Sequence, residues 1–353
     1  MTDPVAPAPA RVERGWGKLF LAILLFVVVP TIPQFRALLP VEHTVVLLVP
    51  ALAACFVVGW WAGGRLPLAL LFVALAVILM RQAPDVPSVF ENLQRGWSLL
   101  LAGAFGLVCL FGLRRPLFPR ALMATAVALV LALVMSALGP VTGHEMDKAV
   151  STELASRTTD TMHQLDAFIG QYPDQWNDLV KKVPQLAQLP AETEKQLKAL
   201  AQTGADLYPS FLLLESLVAL AIAWATYHRL GRARLGPPLA PLREFRFNDH
   251  FIWGLIVGLL IVFLPLLTRF EPFGENLLVF FGALYAVRGL GVLSWFLAPG
   301  ALAVMAGVGF AMLWAPFLNA VAAVGFLLLA IAAFGLGLGD TWADWRNRAR
   351  PTS

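Results

Sequence analysis

Apolar residues along this chain do not alternate with polar ones. They come in ten long runs separated by short polar or proline-containing breaks. Five lie before the middle of the chain, at 16–39, 43–61, 66–80, 96–113 and 117–139. Five follow it, at 207–230, 251–268, 276–298, 301–315 and 318–338. Crossing a bilayer takes about 20 apolar residues in a helix, and most of the runs approach that length. In hydrocarbon every backbone polar group must be bonded internally, which a helix does within one segment. The pattern therefore predicts an all-α fold, a polytopic transmembrane helix bundle of about ten spans. The run 301–315 is short for a span, and Pro316 with Asn319 marks the turn after it.

Between the two groups lies a polar segment, 140–206. From Met146 its apolar residues recur as Val150, Leu154, Met162, Leu165 and Ile169, a helical spacing that leaves Glu153, Arg157, Asp160 and Asp166 on other faces. Gly170 and Pro173 end this helix, a shorter stretch around 176–180 runs to Pro184, and Pro190 opens another with Glu192 and Glu194 in its first turn. Pro209 should kink or restart it. The chain thus divides into an N-terminal group of about five spans (1–139), an external amphipathic helical insertion (140–206), and a C-terminal group of about five spans with a cytoplasmic tail (207–353). The insertion is either a substrate-capturing lid or an amphipathic helix pair lying on the membrane or over the mouth of the bundle.

Composition agrees with a membrane solvent: 59% of residues are hydrophobic and 14% charged, against about 25% charged in soluble domains. The net charge of +4 comes from arginines in short segments between apolar runs, so it points to topology rather than to nucleic acid. Arg114, Arg115 and Arg120 follow the fourth run, and Arg229, Arg232, Arg234, Arg243 and Arg246 follow the sixth. Both clusters are expected in the cytoplasm of a bacterial-type cell. That places both termini inside, with Arg11, Arg14 and Lys18 at one end and Arg346, Arg348 and Arg350 at the other. The first run is read as an uncleaved helix. The insertion, with ten acids against six bases, lies outside. Trp60, Trp61, Trp97, Trp342 and Trp345 fall near helix ends, where indoles prefer the headgroup level. Cys55 and Cys109 sit in apolar runs without a CxxC pattern and read as buried structural thiols.

A charge deep in a span costs about 2.5 to 3.5 kcal/mol on insertion scales, so it normally has a partner or a task. Two stand out. Glu215 lies about two turns into the sixth run and Arg288 near the middle of the eighth, with a depth difference of about 6 Å at 1.5 Å per residue. Either Arg288 binds an anionic ligand group with Glu215 as counter-charge or proton site, or packing is fixed by an intramembrane ion pair of the two or by Arg288 bonded to freed backbone carbonyls. His43, His228 and His250 lie near run ends, which does not suit a proton relay. Gly254 and Gly258 form a GxxxG, and Gly282, Gly289, Gly291, Gly307 and Gly309 follow, the composition of close helix packing. The GLGLGD near the end lacks a nucleotide-loop context, and no HExxH, GxSxG or Walker sequence occurs. No enzymatic activity, metal or cofactor is expected.

Four segments carry a resemblance: YPSFLLLESL opening the sixth run, PLREFRFNDHFIWGL entering the seventh, LYAVRGLGVLSWFL in the eighth and GLGDTWADWRNR closing the last. Together they resemble the YybS-like family of bacterial multi-pass membrane proteins, a family without an established activity. The likeness is clearest in the C-terminal half. The family often has a neutral polar residue at the place of Arg288, so a role for that charge is particular to this chain. The family is similar at a distance to the substrate-binding membrane components of energy-coupling-factor transporters, which bind small molecules in a helix bundle and dock on a separate ATPase module. The resemblance implies a small-molecule-binding transport component; the alternative is an envelope scaffold or assembly factor. Expected partners are the lipid bilayer, a small-molecule ligand, and either an ATPase module or an envelope protein, with no nucleic acid.

Overall fold

The computed structural model describes residues 15–82, 88–111, 115–139, 143–233, 235–298, 300–313 and 319–345. All regular structure among these residues is helical, without a strand. The chain forms two compact units, one of Met1–Gln202 with Glu215–Leu239 and one of Thr203–Leu214 with Ala240–Ser353.

The first unit opens with α1 (Trp16–Val28) and the short α2 (Pro33–Arg36), followed by α3 (Val45–Trp61), α4 (Leu66–Arg81), α5 (Val89–Phe111) and α6 (Leu117–Leu138). The first run, expected as one helix over 16–39, breaks after Val28. Pro30 sits in a 3-10 turn and Pro33 starts α2, because a proline ring removes a donor and clashes with the preceding turn. At α5 the difference is reversed: the helix begins before the apolar run, taking in Phe90 to Arg95. Two of its polar residues find backbone partners there, Gln94 donating to the Pro40 carbonyl at 2.9 Å and Arg95 to the Met80 carbonyl at 3.4 Å. The insertion follows as α7 (Gly143–Gln171), α8 (Pro173–Lys182) and α9 (Leu189–Asp206). Pro209 falls in the first turn of α10 (Tyr208–Leu230), where its missing donor costs nothing.

The second unit holds the start of α10 together with α11 (Ile252–Phe263), α12 (Glu271–Phe296), α13 (Ala301–Leu313) and α14 (Asn319–Ala343). The seventh run stops being α-helical at Phe263, with Pro265 beginning a 3-10 turn. The eighth starts at Glu271 rather than Asn276, with Pro272 in its first turn. Asn276 is thereby inside α12, and its side chain accepts from the Ser210 amide at 3.0 Å and donates to the Asp206 carbonyl at 2.9 Å. Antiparallel α12 and α14 approach so closely that a Cβ on Gly289 would collide with the Ala333 carbonyl, and one on Gly337 with that of Tyr285. Gly254 likewise faces the Phe281 ring, and a Cβ on Gly258 would lie 3.0 Å from Leu278. Small residues let helix backbones meet in this way.

Each of the ten apolar runs contains an α-helix. Among the described residues five helical stretches are long and apolar enough to cross a membrane: Val89–Phe111, Leu117–Leu138, Tyr208–Leu230, Pro265–Phe296 and Val321–Ala343. Trp16–Thr31, Val45–Trp61, Leu66–Arg81 and Asp249–Phe263 are apolar but shorter. The expected turn at Pro316, the arginines at 11, 14, 114, 234, 346, 348 and 350, and the end of the ninth run lie outside the described residues.

Candidate functional site

In the second unit three segments converge on one guanidinium. Arg288 is buried, and its Nε donates to Asp340 Oδ2 of α14 at 3.0 Å. Its Nη1 donates to Asp249 Oδ1 at 2.6 Å, from the 3-10 turn that leads into α11. The ring of Phe247 covers the guanidinium, 5.4 Å from centroid to Cζ, a favourable cation–π placement. The two carboxylates differ in setting: the Asp340 side chain is fully buried, whereas that of Asp249 is 59% exposed. The Gly289 and Gly337 crossing permits the contact, because it draws α12 and α14 together beside Arg288. Arg246 and Asp344 add a peripheral pair at 2.7 Å. Arg288 lies about 12 Å short of the end of α12, nearer that end than the run 276–298 implied, because the helix is displaced toward its N-terminus.

In the first unit a second polar cluster is built around the stretch between α2 and α3. The Pro40 carbonyl accepts from Gln94 of α5, and the Val41 amide donates to Glu215 Oε2 of α10 at 3.1 Å. Arg157 of α7 reaches in and donates to the Leu39 carbonyl at 3.0 Å and to Glu153 at 3.1 Å, with Glu42 at 3.6 Å. The Phe90 ring lies against it, with the centroid 5.2 Å from Cζ. Trp97 donates to Ser216 at 2.9 Å. Three helices of the unit, α5, α10 and the insertion's α7, are therefore tied to one short non-helical stretch whose free backbone groups need partners.

The other end of the same unit carries a third cluster. Arg120, buried in the first turn of α6, donates to the Leu235 carbonyl at 2.8 Å and lies over the Trp224 ring. Trp224 donates to the Pro237 carbonyl, Tyr227 to that of Ala233, and His228 touches that of Gly236. Arg229 reaches the Gly15 carbonyl at 3.4 Å. The start of α1, the start of α6 and the end of α10 thus share one end of the unit. The α2–α3 stretch, the start of α5, the Glu215 turn of α10 and the Arg157 turn of α7 share the opposite end.

A family model described as a predicted membrane protein (DUF2232) matches residues 19–327. The chain belongs to that family. No curated protein matches it, and no solved structure does. The DUF2232 match spans both units and contains Glu215, Asp249 and Arg288, and it ends before Asp340. It supports a membrane location for the apolar helices.

Within this DUF2232 chain Glu215 falls in the first unit and Arg288 in the second, each with partners of its own. Gly254, Gly258 and Gly289 lie at close helix approaches, and Gly291 is buried in α12. Trp60, Trp61 and Trp342 are exposed, whereas Trp97 is buried with its indole donating to Ser216 of α10. Cys55 and Cys109 are buried and unpaired. Sequence reasoning missed Asp340, Asp249 and Arg157. The signal for the first two was present: they stand in two of the four segments singled out beside that of Arg288. Nothing in the α7 pattern marked Arg157, which occupies a face assigned to solvent.

Proposed function

We propose that this DUF2232 chain is an envelope scaffold or assembly factor, a multi-pass protein of a bacterial cytoplasmic membrane without catalytic or transport activity of its own. The observation that carries this reading is the anchoring of the insertion through Arg157. A helix of 29 residues, about 43 Å long, is fixed at a buried charged contact and so becomes a stiff arm rather than a tether. Its distal end presents Phe168 and Tyr172, in mutual contact and both exposed, with exposed Leu179 on α8. Exposed aromatics of this kind are what protein interfaces bury. A photoreactive amino acid at Phe168 or Tyr172 in intact cells should capture a specific envelope protein. Capture of lipid alone would refute the reading.

Ten crossings with both termini in the cytoplasm are part of the proposal. The shared end of the basic segments at Arg115, Arg120 and Arg229, opposite the Arg157 anchor, supports this orientation through the positive-inside rule. Membership of the YybS-like group is supported by the meeting of three of its segments at Arg288, Asp340 and Asp249.

One observation favours a second reading, a small-molecule-binding transport component of the energy-coupling-factor type with a separate ATPase module. The exposed Asp249 is a partner that an anionic ligand group would be able to replace on Arg288. Unchanged uptake of the candidate solute in an Arg288→Ala strain would refute it.

A further inference from the structure

Helices α3, α4 and α5 leave an open groove of about 700 Å³ between them. Its floor consists of small residues, Ala54 of α3, Ala76 of α4 and Ala102, Gly103 and Gly106 of α5. Its rim is apolar and exposed at Val77, Leu99 and Leu107. One lining residue carries a charge, Arg81, and it stands at one end, in the last turn of α4. The Arg81 side chain is exposed and has no hydrogen bond or ion pair among the described residues. It is not needed to cap its own helix, since Arg95 of α5 takes the Met80 carbonyl.

An apolar trough with a single cation at its mouth complements an amphiphile with an anionic head. The α5 residues lining it run from Leu99 to Leu110, about 16 Å of helix. That is half of a hydrocarbon core about 30 Å thick, the depth of one leaflet. A partner's spanning helix would continue through both leaflets and would have no use for a cation at this level. We propose that the groove holds one acyl chain of an anionic phospholipid, with its phosphate against Arg81. A guanidinium suits a phosphate because its planar donors can bond two oxygens at once. The bound lipid would belong to the leaflet on the side of the α2–α3 stretch, where the start of α5 meets Pro40.

The test uses the full chain in nanodiscs of equal phosphatidylglycerol and phosphatidylcholine, with co-isolated lipid counted by native mass spectrometry. One phosphatidylglycerol should remain per chain. Arg81→Gln should lower its preference over phosphatidylcholine about fivefold, the effect of one basic residue near an anionic surface, and Arg81→Lys should restore part of it. Gly103→Leu should remove the retained lipid. Nothing lies within 4 Å of a Cβ at that position, so the new side chain fills the groove without striking the protein, and an unchanged unfolding transition would verify this. An unchanged lipid count in Gly103→Leu would overturn the proposal. So would an unchanged preference in Arg81→Gln, or capture of a protein helix by a photoreactive group at Leu107.

Discussion

Arg288→Ala takes away the guanidinium that donates a 3.0 Å hydrogen bond to the fully buried Asp340 carboxylate. Removing one member of a buried pair typically costs about 3–5 kcal/mol, because the remaining charge keeps its desolvation penalty and loses its attraction. Asp249→Ala removes the other contact, at 2.6 Å, but that carboxylate is 59% exposed. Solvent already screens it, and about 0–1 kcal/mol is expected. Replacing both buried members, Arg288→Met with Asp340→Leu, takes the charges out of the apolar interior together. The double variant should lie within about 1 kcal/mol of the parent. Unfolding in dodecyl maltoside titrated with dodecyl sulfate, followed by tryptophan fluorescence, compares all three variants with the parent. A loss in Arg288→Ala as small as that in Asp249→Ala would refute this electrostatic picture, as would a double variant no more stable than Arg288→Ala.

Arg157→Ala should loosen α7 with a loss of about 2–3 kcal/mol for the bonds to the Leu39 carbonyl and Glu153; faster protease cleavage within 143–171 is the readout. Glu215→Gln keeps an acceptor for the buried Val41 amide and should be nearly neutral in the same unfolding assay, whereas Glu215→Leu leaves that amide unsatisfied and should cost about 1–3 kcal/mol. Gly289→Leu drives a side chain into the Ala333 carbonyl and should destabilise by about 3 kcal/mol or prevent folding. Gly282→Ala on the same helix, with open space at its Cβ, should behave as the parent in thermal unfolding.

The helices were legible because apolar runs bounded by prolines and polar clusters permit little else in a bilayer. Their ends were less so. α1 yielded to Pro30 and Pro33, while α5 gained a polar turn because Gln94 and Arg95 found carbonyls that only the folded chain supplies. Arg288 was conspicuous, being costly in any span. Its partners were not, because they stand 52 and 39 residues away near the ends of their runs, where a carboxylate costs little. Arg157 looked like part of a solvated face because amphipathic periodicity treats every charge as outward, and its burial depends on the non-helical stretch at 37–44 that it ties down.

The anchored insertion and the basic loops occupy opposite ends of the first unit and, in the proposed orientation, opposite sides of the membrane. Single cysteines at Thr159→Cys on α7 and Arg232→Cys after α10, in a chain with Cys55→Ala and Cys109→Ala, test it directly through a membrane-impermeant maleimide. Both positions are exposed. The expected result is labelling at 159 in intact spheroplasts and at 232 only after lysis. Labelling of both from one side, or the reverse order, would contradict it.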